Sequence, residues 1–195
     1  GGPREALGFP ARIVERFSGG EVARALDLGC AVGRSAFELS RTAAEVVAID
    51  YSQAFVDAGK AMQATGHCEV SRLEEAHRRE SIVVEVPPGT LPGRITFERG
   101  DAMNLRPGLG GFDRVLAANL LCRLAEPNRL LVRLPELVKS GGELILTTPC
   151  TWLEEFTPEA HWPPGSTLDW VKSELSVRFE LLEEHDEPFL IRETA

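Results

Sequence analysis

The chain has 195 residues, 43% of them hydrophobic, with 21 Lys+Arg against 30 Asp+Glu and a formal net charge of -9. That length supports one full-sized core and falls short of two, so a single domain over 1–195 is expected. The acidic balance disfavours nucleic acid and anionic membrane surfaces as partners. The longest apolar run, VLAANLL at 115–121, is far below the ~20 residues that span a bilayer.

With no basic-then-apolar leader, a soluble cytoplasmic protein is expected. The opening GGP looks like a tag-removal scar, which suggests a domain cut from a longer chain. Cys30, Cys68, Cys122 and Cys150 are too scattered for a disulfide framework and are expected to be reduced. His67, His77, His161 and His185 show no metal-ligand spacing, so no metal site is expected.

In chain order, residues 4–17 read as a lead-in helix within 1–20, broken by Pro10 and closed by Ser-Gly-Gly. ARALDL (23–28), SAFELSRTAA (35–44) and EVVAID (45–50) read as strand, helix, strand. Ser52 stands at an N-cap position before the helix QAFVDAGKAMQATG, and a polar helical stretch, including RLEEAHRRE, is expected to run on to about residue 80. SIVVEVPPGTLPG (81–93) has a strand pattern followed by proline turns, which implies an inserted edge strand.

RITFERGD, FDRVLAAN and ELILTTP are the next strands, with the helix PNRLLVRLPELV between the last two. Pro135 implies a kink or early end, and Lys-Ser-Gly-Gly at 139–142 reads as the helix stop. After a Trp- and Pro-rich loop comes a helix from about Ser166, then RFELLEE and PFLIRE, an expected antiparallel hairpin. The segments imply an α/β fold: a mostly parallel sheet closed by that hairpin, with helices on both faces.

LDLGCAVG sets Gly29 and Gly33 between a strand and a helix, where backbone N–H groups can face a ligand. A dinucleotide fingerprint would need glycines at 29, 31 and 34, but positions 31 and 34 hold Ala31 and Arg34. Asp50 closes the second strand, where a carboxylate can accept from ribose hydroxyls, and Asp101 follows the third in RGDAMN. Either acid alone can be an ordinary turn or helix-start residue; the glycine loop and both together are harder to obtain by chance.

Asp27, Gly29, Ala31 and Gly33 form an acid-x-Gly-x-small-x-Gly pattern that resembles motif I of class I S-adenosylmethionine-dependent methyltransferases. The resemblance implies a Rossmann-like, seven-stranded fold with S-adenosyl-L-methionine as cofactor and S-adenosyl-L-homocysteine as product. Its cofactor contacts would be Asp27, Gly29, Cys30, Ala31, Gly33, Asp50, Tyr51, Ser52, Gly100, Asp101, Ala102 and Asn119. Over FDRVLAANLLCRL (112–124), TPCTWLEEFTP (148–158), AIDYSQAF, FERGDAMNL and PFLIRE the chain resembles the C-terminal methyltransferase domain of the ovothiol biosynthetic enzymes, OvoA.

That likeness implies methylation of the π ring nitrogen of 5-mercaptohistidine (4-mercaptohistidine), giving ovothiol A. It also implies an upstream iron-dependent sulfoxide synthase domain as partner. Cys150, where a tyrosine is expected, and AHWPPGS at 160–166 depart from the family pattern beside the presumed substrate lid. Asn119 and Tyr51 are the expected catalytic positioners, and Asn119, Arg123, Trp152, Glu154, Glu155 and Arg192 the expected substrate contacts. Asn119 would offer its side-chain carbonyl, Arg123 or Arg192 would clamp a carboxylate, and Trp152 with the two acids would wall an imidazole carrying a charged amino group. Each has a plainer reading: a turn residue for Asn119, packing over the cofactor for Tyr51, a surface arginine for Arg123, an edge-strand arginine for Arg192 and a helix start for Trp152 and the two acids.

Overall fold

In the computed structural model, which describes residues 6–190, a parallel sheet carries helices on both faces. The first helix, α1 (Phe9–Glu15), begins after Gly8 in the left-handed region, and Pro10 lies in its first turn. Proline there initiates the helix instead of breaking it, because the first-turn N–H it lacks would be unpaired anyway. Then come β1 (Val22–Leu28), α2 (Arg34–Leu39), β2 (Ala43–Asp50) and α3 (Gln53–Thr65), capped by Ser52 and ended by Gly66 at φ 77°.

The expected polar helix beyond Gly66 is instead an antiparallel hairpin, β3 (His67–Glu75) and β4 (Arg78–Glu85). Its charges misled because Glu74 and Arg78, four apart, pair equally well across a tight turn as along a helix. Arg72 and Glu80 then pair across the strands at 2.6 Å. The hairpin is a separate two-stranded sheet, so the 81–93 segment extends no edge of the main one.

The main sheet is completed by β5 (Ile95–Arg99), β6 (Phe112–Ala118) and β7 (Val138–Thr147), with α4 (Pro127–Leu137) before β7 and α5 (Thr167–Leu175) after it. Strand order is β5-β2-β1-β6-β7, every pairing parallel. Lys139–Gly142 do not lie beyond a stop; β7 has already begun at Val138 and runs through them, with a register shift before Arg114 and Glu143 pair.

The strands alternate between two cores. Leu26, Leu28, Val47, Ile49, Val115 and Ala117 pack under α4 and α5, while Ala25, Val46, Ala48, Ile95, Phe97 and Leu116 pack under α1, α2 and α3. Burial on both faces explains why these strands read as apolar runs.

Among the described residues the expected C-terminal hairpin is absent: residues 178–190 contain no strand, and the end of PFLIRE lies outside the described residues. Side-chain ties to α1 hold this segment in another course. Glu187 accepts from Arg12 at 2.7 Å and pairs with Arg16 at 3.0 Å, which holds its carboxyl below the usual range, and the Phe189 ring packs at a tilt against Phe9. The seven strands are thus five parallel and two in the inserted hairpin. No described helix is long and apolar enough to cross a membrane.

Candidate functional site

The carboxyl ends of the strands lie level. Leu28 is in register with Ile49 and Ala117, Asp50 with Arg99, and Ala118 with Thr147. The chain builds outward from β1 through β2 to β5 and then returns to the other side of β1 for β6, so the order reverses between β1 and β6. In open α/β sheets a ligand crevice forms at that reversal. Gly29 and Asn119 are the first residues past the two strands that flank it.

The glycine loop is tightly constrained. Gly29 has φ 72°, and a Cβ there would sit 3.0 Å from Leu120 Cδ1. Gly33 has φ 93°, and its Cβ would fall 2.5 Å from Phe97 Cζ; Gly59 on α3 meets the same ring at 2.7 Å. Two glycines thus let α2 and α3 close down on one phenyl ring.

Four of the loop's amides are spent inside the protein. Gly29 and Cys30 donate to the Ile49 carbonyl, Gly33 to that of Cys30, and Ala31 to Asp50 Oδ2 at 2.8 Å. The expected row of ligand-facing N–H groups is absent at these positions, because the tight turn consumes them. This is no phosphate cradle, and it sits beside acids instead.

Asp27 is 2% exposed and among the described residues its Oδ2 has no partner. Burial raises its pKa from 3.8 to about 7, with nearby Asp50 adding slightly and the Ala36 amide opposing. A buried carboxyl with one oxygen left unpaired is costly unless a cation arrives to share it. A ligand bearing an ammonium and a sulfonium fits that donor set, and a pyrophosphate does not.

Asp50 accepts from the Ala31 and Ser52 amides, both at 2.8 Å, so its carboxylate is fixed with lone pairs to spare. Ser52 is occupied as the cap of α3, its hydroxyl accepting from Phe55 N. Asp101 accepts from Met103 N through Oδ1 at 2.8 Å. The Gly100 amide donates to the Asp50 carbonyl, and a Cβ at Gly100 would lie 2.8 Å from Ile49, so these two strand ends are tied together. Ala102 packs into the α4-side core, which leaves only its backbone for a ligand. Burial and the neighbouring Asp27 and Asp50 push the Cys30 thiol upward, so it stays protonated.

Other expected site residues are placed less simply. Tyr51 is 70% exposed, with the Arg99 guanidinium 5.7 Å from its ring. Asn119 has φ 53°, its amide donates to the Thr147 carbonyl, and its Oδ1 accepts from the Thr147 hydroxyl at 3.0 Å. The carbonyl expected to face a substrate is therefore engaged, and among the described residues the side-chain NH2 has no acceptor.

Arg123 lies over the Phe156 ring at 4.6 Å. The Trp152 indole N–H donates to Thr167 Oγ1 at 2.8 Å while its ring meets Trp170 edge-on, so Trp152 anchors α5 to the loop after β7. Glu154 and Glu155 are exposed. Arg192 lies outside the described residues.

Sequence reasoning missed Thr147, Leu120 and Thr157. The buried Thr157 hydroxyl donates to the Leu124 carbonyl at 2.7 Å, pinning the loop after β7 to the turn after β6. The Thr-Thr-Pro at the end of β7 was the available signal for Thr147; the other two depend on partners no local pattern names.

Residues 26–144 match the family model described as a methyltransferase domain. The chain belongs to that family. Among curated proteins, the magnesium-protoporphyrin O-methyltransferase of Rhodobacter capsulatus is 32% identical over 150 residues, covering 72% of this chain and 55% of the relative. The chain therefore spans about half the length of that relative.

Among solved structures, a TehB-like SAM-dependent methyltransferase from Corynebacterium glutamicum matches at TM-score 0.55 and 17% identity, covering 86% of this chain and 72% of that one. The phosphoethanolamine N-methyltransferase 1 of Haemonchus contortus, in complex with phosphoethanolamine and S-adenosylhomocysteine, also matches at 0.55 and 17%, over 83% of this chain and 30% of that one. These two likenesses establish the shared Rossmann-like methyltransferase fold. The cofactor is S-adenosyl-L-methionine.

Proposed function

We propose that this methyltransferase domain transfers the methyl group of S-adenosyl-L-methionine to the π ring nitrogen of 5-mercaptohistidine. The supporting observation joins the two sequence phrases most like the ovothiol enzymes. They lie about thirty residues apart, yet Arg123 stacks on Phe156 and Thr157 is hydrogen-bonded to Leu124. An exposed guanidinium, an aromatic face and the Glu154–Glu155 pair on one loop system suit an amino acid whose ring must be held flat and whose two charged groups must be matched.

When bound, the cofactor supplies an electrophilic methyl on a sulfonium. The ring nitrogen forms the new N–C bond as the C–S bond breaks, and the ring then sheds its N–H proton to solvent. The protein's work is positional: Asp27 and Asp50 would hold the cofactor's cationic and ribose ends, and the Asn119 NH2 would orient the acceptor. Such alignment is worth ~7–11 kcal/mol. Arg123 or Arg192 would take the acceptor carboxylate and Trp152 would shape the wall. The four free thiols suit a reducing, cytoplasmic setting, and an iron-dependent carbon–sulfur bond-forming domain upstream would supply the substrate.

A second reading, transfer to an oxygen of a larger acceptor, is favoured by the relative that acts on magnesium protoporphyrin. Incubation with the cofactor and, separately, 5-mercaptohistidine, histidine and magnesium protoporphyrin, read by mass spectrometry, separates the two. A methylated mercaptohistidine with histidine untouched supports the first. Product from the porphyrin alone replaces it with the second, and S-adenosylhomocysteine binding without any product overturns both in favour of another small-molecule acceptor or a non-catalytic cofactor-binding scaffold.

A further inference from the structure

The hairpin β3–β4 is the least explained part of the molecule. It joins the end of α3 to the start of β5, so it leaves from the amino ends of the strands, away from the crevice. Its base is tied to the domain through Cys68, through Val86 packing and through the Val86 amide on the Gly66 carbonyl. Every residue of β4 except Ile82 is exposed, including Val83 at 62% and Val84 at 41%. A two-stranded sheet alone in water is marginal, and an open strand edge is a template for another strand.

The sequence of β4 is self-complementary about Ile82. Arg79 and Glu85 stand three residues to either side, and among the described residues neither forms an ion pair. We propose that β4 pairs antiparallel with β4 of a second copy of this chain, about a two-fold axis through Ile82, making a four-stranded sheet. An axis normal to the sheet keeps each side chain on its own face, which limits the register to those centred on a residue. Centring on Ile82 sets Arg79 against the partner's Glu85, twice by symmetry, and Ile82 against the partner's Ile82. Centring on Ser81 sets Arg79 against the partner's Val83, and centring on Val83 leaves Arg79 beyond the strand. Of the registers that pair five or more residues of β4, the Ile82 register alone matches opposite charges, and it also extends the face of Cys68, Val70, Ile82 and Val84 across the junction.

Sedimentation equilibrium on the full chain should give twice the 21.3 kDa chain mass. Arg79→Glu or Glu85→Arg should each weaken association about tenfold by setting like charges opposite at two places. The double reversal should restore it. In a Cys68→Ser, Cys150→Ser background, Ile82→Cys should cross-link two copies under mild oxidation because it faces its own copy across the axis, whereas Val84→Cys should not. Arg79, Ile82, Val84, Glu85 and Cys150 are outside the core and Cys68 packs only at its margin; unchanged melting temperatures check that the domain is intact. A monomer at every concentration reached, a dimer indifferent to charge reversal, or cross-linking by Val84→Cys as readily as by Ile82→Cys would each overturn the proposal.

Discussion

The crevice at the β1–β6 reversal has two sides that are built differently. On the Gly29–Asp50 side the backbone sets the geometry: left-handed glycines, amides consumed by Ile49 and Asp50, and a phenyl ring clamped by Gly33 and Gly59. On the side of the loop after β7, side chains from distant segments set it: Trp152 to Thr167, Trp162 to Thr157, Thr157 to Leu124, Arg123 over Phe156. A backbone-built site tolerates few residue types and holds one shape. A side-chain-built one can be respecified position by position, which suits a cofactor shared by many enzymes facing an acceptor that differs among them.

The sharpest way to break this contrast is at Asp27. An acid whose folded pKa lies above its unfolded one loses stability as pH rises between the two, here from 3.8 to about 7. Wild-type apoprotein should therefore weaken from pH 5 to pH 8, by about 3 kcal/mol. Asp27→Asn should flatten that dependence in urea unfolding and be the more stable form at pH 8, while binding the cofactor less tightly. A wild-type curve flat over this range would remove Asp27 from the account.

Gly33→Val should cost about 3 kcal/mol through overpacking against Phe97 and left-handed strain, and cofactor binding should vanish with it. Retained affinity in calorimetry would mean that the loop is less rigid than its contacts imply. On the other side, Trp152→Ala should cost about 2 kcal/mol from lost packing on Trp170 and the Thr167 bond, with S-adenosylhomocysteine affinity kept within about threefold. A large loss of affinity there would show the two sides to be one cooperative unit. Smallest is Arg123→Lys, which keeps the charge and loses the planar stack on Phe156: KM for the acceptor should rise about fivefold with cofactor affinity unchanged.

The same contrast explains what the sequence could reveal. Strand ends marked by Asp27, Asp50 and Asp101, and the Ser52 cap, are legible because a turn or cap restricts residue choice locally. The hairpin at 67–85 was not, since Glu74 and Arg78 satisfy helical and cross-strand spacing alike. RFELLEE and PFLIRE carry strand periodicity, but Glu187 is drawn to Arg12 and Arg16, more than 170 residues away in the chain, and no local pattern announces such a partner. Asn119 was placed correctly at the end of β6, while the occupation of its carbonyl depended on Thr147 from the neighbouring strand.

The clasp of Glu187 and Phe189 on α1 also bears on connectivity. It brings the first helix and the last described residues side by side, the Phe9 and Phe189 rings 5.4 Å apart. Order along the polypeptide and order in space are thereby uncoupled at this corner. A short linker there, with the chain reopened at the surface turn around Gly89, would give a circular permutant that keeps every strand neighbour of the parallel sheet.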